Sequence, residues 1–178
     1  RIWGRTDLPA PLAAYREAVA QFNPHGRLVF YPGSPALAMT MARPQDRLRL
    51  FELHPADFES LERTFAGETE RVQCRKADGF AGLKSLLPPP PRRALVLIDP
   101  SYETRDDYAN VVKGLQEALK RFATGTYAVW YPHLNKLESR KLPDKLKRLG
   151  AANWLHVTLE VKAPAGDGFG MNGSGMFI

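Results

Sequence analysis

The stretch from Ala94 to Glu103, ALVLIDPSYE, constrains this chain more than any other. Its apolar run, Ala94 to Ile98, breaks only at Asp99 and predicts a strand buried on both faces of a parallel sheet. Pro100 has no amide to donate to a sheet ladder and biases Asp99 toward extended backbone, so the strand must stop there. An acid, a proline, a small polar residue and an aromatic then follow at the strand's carboxyl end. In open α/β sheets that edge is where ligands bind.

These residue types suit methylation of an amino group on a planar base. An adenine amine is a weak nucleophile because its lone pair is delocalised into the ring. An acid and a main-chain carbonyl, each accepting one N–H, would localise that pair and aim it. Asp99 and the Pro100 carbonyl are adjacent and of the right kinds, and Tyr102 offers a flat face for a base swung out of its helix. On spacing alone the favoured reading is a strand-ending turn in which Asp99 caps the next segment.

The chain has 178 residues, of which 44% are hydrophobic and 25% charged. That is the composition of a globular protein with a real core, not of a disordered chain. No apolar run approaches the roughly 20 residues a membrane span needs. The single cysteine, Cys74, excludes an internal disulfide and a four-cysteine zinc site and suits a reducing cytoplasm. A net charge of +6 favours a phosphate-bearing partner. The four histidines are too scattered to suggest a metal site.

Taken in order, residues 1–22 read as a helix on the recurrence of Leu12, Tyr15, Val19 and Phe22. Ser34 and Pro35 form an N-cap and first-turn pair for a helix over Ala36 to Ala42, and a hydroxyl there serves either capping or anion binding. Asp46 to His54 reads as a strand ending in Glu52, an acid placed either to hold a ribose diol or simply to face solvent. A helix follows over Pro55 to Phe65, then a strand over Arg71 to Lys76. Asp78-Gly79 comes next, as a cofactor-adenine contact or a plain turn. A short helix over Phe80 to Leu87 and a proline-rich connector lead into the Ala94 strand. Arg105 to Phe122 carries the best apolar stripe in the chain: Tyr108, Val111, Val112, Leu115, Leu119 and Phe122. Thr126 to Tyr131 is a buried strand, and Leu134 to Leu149 a basic helix that Pro143 should kink or restart. Its cations serve either a solvated face or an RNA contact. Ala152 to Val161 and Gly173 to Ile178 read as the last strands, joined by a glycine-spaced loop from Ala163 to Gly175.

These blocks resemble a known family. DPSYE after a buried strand is similar to the D-P-P-Y motif of S-adenosylmethionine-dependent amino-group methyltransferases. YPGSP (31–35), LFELHP (50–55), KADGF (76–80), LIDPSYE (97–103), KRFATGTYAVWYP (120–132) and the closing GSGM resemble, in order, the bacterial methyltransferases that modify an adenine of 23S ribosomal RNA. The resemblance implies an α/β, Rossmann-like methyltransferase sheet, with residues 1–42 a helical insertion and 43–178 a partial catalytic domain lacking its first strand. It implies that Ser34, Glu52 and Asp78-Gly79 contact S-adenosylmethionine, and that Asp99, Pro100 and Tyr102 form the catalytic motif. Ribosomal RNA, free or partly assembled, is the implied partner of a cytoplasmic monomer.

Ser101 stands where the commoner motif has a second proline, leaving the loop less constrained. The family's glycine-rich first motif and its strand would precede Arg1, between the Leu48 and Ala94 strands in the sheet. These residues are therefore expected to be a piece of a longer enzyme, with two exposed strand edges and poor cofactor binding on their own. A DNA adenine methyltransferase and a non-catalytic RNA-binding remnant are the competing expectations.

Overall fold

The computed structural model describes residues 2–161 and 170–178. They form two compact units, Arg1–Gly79 and Phe80–Ile178.

The first unit holds α1 (Ala10–Ala20), α2 (Ser34–Met41), β1 (Leu48–Glu52), α3 (Pro55–Thr64) and β2 (Val72–Lys76). β1 and β2 are parallel, with Leu48 opposite Val72 and Glu52 opposite Lys76, and α3 packs on both as the crossover. α1 is shorter than the apolar spacing predicts. Its cap is Pro9, at ψ 147°, with Pro11 in the first turn; the residue ahead of a proline is pushed out of helical backbone, so the helix cannot extend upstream. Asn23 is buried and replaces a missing sheet partner for the segment after α1. Its amide donates to the carbonyls of Val19 (3.0 Å) and Phe30 (2.7 Å), and its oxygen accepts from the amides of Val29 and Phe30 at 2.9 Å each.

The second unit holds α4 (Gly79–Leu86), β3 (Leu95–Ile98), α5 (Arg105–Arg121), β4 (Thr126–His133), α6 (Leu137–Lys147), β5 (His156–Glu160) and β6 (Gly173–Phe177). Its sheet runs β3-β4-β6-β5. β3 and β4 are parallel, and β6 is inserted antiparallel between β4 and β5. α5 starts where its stripe predicts, because Thr104 and Asp107 form a reciprocal capping box: Asp107 Oδ2 accepts from the Thr104 amide at 2.8 Å and Thr104 Oγ1 from the Asp107 amide at 3.3 Å. The core lies on one face of the sheet. Ile98, Val129, Tyr131 and Phe177 pack there against Tyr108, Val111 and Leu115 of α5 and Leu142 and Leu146 of α6.

Three expectations need correction here. β3 is not buried on both faces: Leu95 is 71% exposed and Leu97 49%, whereas Ile98 is buried. The buried cluster, with α5 and α6, takes the face carrying Val96 and Ile98, and β3 pairs with β4 alone among the described residues. α6 continues through Pro143 as one helix; Leu142, Pro143 and Leu146 are all buried, and their packing outweighs one lost backbone bond. The last two strands are shorter than expected, and much of the glycine-spaced loop, with Gly166 and Gly168, lies outside the described residues.

Candidate functional site

The carboxyl end of β3 is built from the register of two parallel strands. Ile98 lies opposite Val129, and one step beyond this last pair the chains carry Asp99 and Trp130. Past Ile98 the backbone leaves regular structure through Asp99-Pro100-Ser101-Tyr102 before Thr104 caps α5. Asp99 reaches solvent, and among the described residues its carboxylate has no hydrogen bond or ion pair. Protein crowds it on the remaining sides, and that partial desolvation raises its pKa above the ordinary carboxylate value. The Pro100 carbonyl likewise accepts no hydrogen bond among the described residues. A carboxylate and a peptide oxygen, neighbours in sequence and both without partners among the described residues, can each accept one N–H of an amine.

Tyr102 sits differently from the sequence expectation. Its ring is 1% exposed and packs against Tyr108 (centroids 4.8 Å apart) and Trp130 (6.4 Å), so it offers no open face to an incoming base. The cause is the turn: Tyr102 has φ +55°, which directs the chain so that the ring enters the core between β4 and α5. Its hydroxyl donates to the Trp130 carbonyl at 2.5 Å. Burial, with the Asp99 charge second, pushes the phenol pKa far up, so the hydroxyl stays a donor.

In the first unit, the parallel register sets the ends of β1 and β2 at one edge. Glu52 ends β1 opposite Lys76, and Asp78-Gly79 follows β2 at that same edge. Glu52 is half-buried; one carboxylate oxygen accepts from the His54 amide at 2.8 Å, and the other has no partner among the described residues. Gly79 opens α4, and a Cβ there would lie 3.5 Å from the Phe51 Cβ, an ordinary contact. Ser34 is exposed and occupies the first helical position of α2. The cap is Gly33, one residue earlier than expected, and the Ser34 hydroxyl makes no capping bond. The structure thus groups Glu52 with Asp78-Gly79, and Asp99 with Pro100 and Tyr102, while Ser34 belongs to neither strand edge. No cluster of metal-ligating side chains occurs among the described residues.

Trp130 escaped the sequence reading, which took it only as part of a buried strand. What makes it matter is its carbonyl, and a main-chain acceptor leaves no mark in side-chain pattern. Gly175 could have been singled out, since a glycine in a strand often marks a close approach.

The family model described as Ribosomal RNA large subunit methyltransferase D, RlmJ, matches residues 1–178, the whole chain. The chain belongs to this family. Ribosomal RNA large subunit methyltransferase J of Escherichia coli K12 is 46% identical over 178 residues, and that of Haemophilus influenzae 42% identical over 179. Both comparisons cover all of this chain and 63% of the relative, so the chain spans about two-thirds of these RlmJ proteins. Among solved structures, protein LPL1258 of Legionella pneumophila superposes with a TM-score of 0.89 at 34% identity, over 99% of this chain and 65% of that one. A candidate rRNA-methylase from Clostridium thermocellum aligns at TM-score 0.53 and 12% identity over 82% of this chain and 81% of that one, a likeness of fold. The architecture of this RlmJ-family chain is the Rossmann-like α/β fold of methyltransferases.

Proposed function

We propose that this chain carries the catalytic motif of an enzyme that transfers a methyl group from S-adenosylmethionine to the exocyclic amine of an adenine in 23S ribosomal RNA. The observation carrying this reading is the pair of acceptors at the carboxyl end of β3, the Asp99 carboxylate and the Pro100 carbonyl, neither with a partner among the described residues. Each accepts one N–H of the flipped-out adenine. The nitrogen lone pair then rotates out of conjugation and points along one direction. Orientation supplies most of the effect, and Asp99 is the nearest acceptor for the proton released once the amine has attacked.

S-adenosylmethionine supplies an electrophilic methyl group. The residues present fit its recognition: the free oxygen of Glu52 suits a ribose diol, and Asp78-Gly79 at the same edge suits the adenine. Ser34 is the remaining contact in this reading. Residues 1–42 form the insertion, and 43–178 the catalytic domain of a cytoplasmic enzyme acting as a monomer. β1 and β3 each have one edge unpaired among the described residues.

Ribosomal RNA approaches along α6. Arg140, Lys141, Lys145 and Arg148 are exposed there, while Lys136 Nζ donates to the Glu103 carbonyl (3.3 Å) and Arg105 pairs with Glu138 (3.2 Å), fastening the start of this helix to the segment leaving the motif. The test is a chimera in which the Escherichia coli relative supplies the portion this chain does not match. Methyl transfer from labelled S-adenosylmethionine to deproteinised 23S ribosomal RNA, and not to duplex DNA, is expected. Transfer to DNA alone would replace the RNA target, and salt-sensitive RNA binding with no cofactor affinity would leave only a binding module.

A further inference from the structure

The segments that leave the carboxyl ends of β3 and β4, two adjacent parallel strands, border an open groove just beyond the motif. This inference rests on Asp99 and Pro100 being the groups that grip the adenine amine. We infer that the groove is a second nucleotide subsite: it holds the unpaired nucleotide next to the flipped adenine, with Asn135 and Leu137 as its recognition residues.

The groove has a volume of about 470 Å³, within the roughly 300–1,000 Å³ of small-ligand sites. Glu103 and Arg105 line it from the segment leaving the motif, and Asn135, Lys136, Leu137 and Glu138 from the entry to α6. Glu103 follows Asp99 closely in the chain, and the residues between them span at most ~14 Å. Two nucleotides joined through one phosphate bridge such a gap.

The side chains here are partly committed to one another, and the groups left over match a nucleotide. Arg140 has only donors, so the Asn135 atom it meets is the amide oxygen. That bond fixes the amide and leaves Nδ2 as its open end, without a partner among the described residues. An N–H donor of fixed orientation suits a ring nitrogen or carbonyl oxygen on the edge of an unpaired base. Leu137 is 58% exposed at the first position of α6 and gives a base face an apolar surface to cover. Arg105 is exposed and uses Nε on Glu138 (3.2 Å), while Lys136 spends one of three donors on the Glu103 carbonyl (3.3 Å). Both cations retain donors for a phosphate. The Glu103 carboxylate is exposed and has no partner among the described residues. It repels a bare anion and accepts from the N–H groups of a base. A free phosphate would use only the two cations; a nucleotide uses every group.

The test pairs changes in the chimera with changes in an RNA fragment around the adenine that the Escherichia coli relative methylates. Asn135→Asp keeps an oxygen for Arg140 and removes the N–H donor. The KM for RNA should rise about fivefold, the worth of one hydrogen bond, with the KM for S-adenosylmethionine within about twofold. Leu137→Ala should raise the KM for RNA by a similar factor. When the nucleotide on one side of the adenine is made abasic, the parent should lose a similar factor and the variants almost nothing further. Losses that simply multiply for an abasic residue on either side overturn the subsite, as does an unchanged KM for RNA in both variants. A KM for S-adenosylmethionine that rises with that for RNA also overturns it, making these residues structural supports. A parent chimera that folds but transfers no methyl group defeats the proposed function instead. Fluorescence anisotropy with the same proteins and RNAs then decides the groove by the same coupling.

Discussion

The ring of Tyr131 on β4 occupies the space that a side chain on Gly175, its partner residue in β6, would need. A Cβ at Gly175 would overlap the Tyr131 ring atoms, and Tyr131 cannot retreat, since its hydroxyl is bonded to His156 Nε2 of β5 at 2.7 Å. Three strands are thereby tied across one face. Gly175→Ala should destabilise the chain by about 1–3 kcal/mol, the usual cost of overpacking a closed site. Urea unfolding of the two proteins measures it, and equal midpoints would show that the ring has somewhere to go.

His156 makes the same three-strand contact sensitive to acid. Burial first, then the nearby Lys147 and His133, lowers its pKa below the ordinary imidazole value, with Asp144 opposing. A depressed folded-state pKa means the unfolded chain binds the proton more readily. Stability is therefore full above about pH 6.5 and falls as pH drops from there toward the folded value. A His156→Gln variant should show a flatter thermal midpoint between pH 7 and 5.5 than the parent; identical slopes would remove His156 from the acid response.

Asp99 behaves in the opposite sense. Desolvation raises its pKa, so the charged form is disfavoured in the folded state and the carboxylate is a small liability at neutral pH. Asp99→Asn should leave the thermal midpoint at pH 7 equal to or above the parent's, and this advantage should shrink as the pH falls through the folded pKa and be gone below the ordinary carboxylate value. In the chimera, Asp99→Ala should cut methyl transfer by at least ~100-fold. A variant active within a few-fold of the parent would take Asp99 out of the mechanism.

Thr104→Ala should cost about 1 kcal/mol by opening the box with Asp107 at the start of α5. The box lies two residues beyond Tyr102, so amide exchange in the first turn of α5 should rise first. Loss confined to the far end of the helix would contradict this.

The isolated 178-residue chain should bind S-adenosylmethionine far more weakly than the chimera. β1 and β3 each keep an unpaired edge among the described residues, and the chain spans about 63% of its curated relatives. Calorimetric titration of both proteins decides it, and equal affinities would show that Ser34, Glu52, Asp78 and Gly79 suffice.

Periodicity and punctuation determined much of this protein without any three-dimensional information. The stripe from Tyr108 to Phe122 could bury only one side of a helix, and Pro100 had to end the strand before it. The DPSYE block and its companions in order were enough to imply the methyltransferase family, because a motif is a local property of the chain.

Tertiary structure alone decided which faces are covered and what each motif residue touches. Five apolar residues from Ala94 to Ile98 look alike in sequence, yet packing buries Ile98 and leaves Leu95 exposed, since helices cover one side of that strand. The burial of Tyr102 has the same origin: a single left-handed φ turns its ring inward, to a carbonyl contributed by a strand 28 residues further on. Local pattern records the preferences of neighbours along the chain. It holds no record of a hydrogen bond to a main-chain oxygen that every residue possesses.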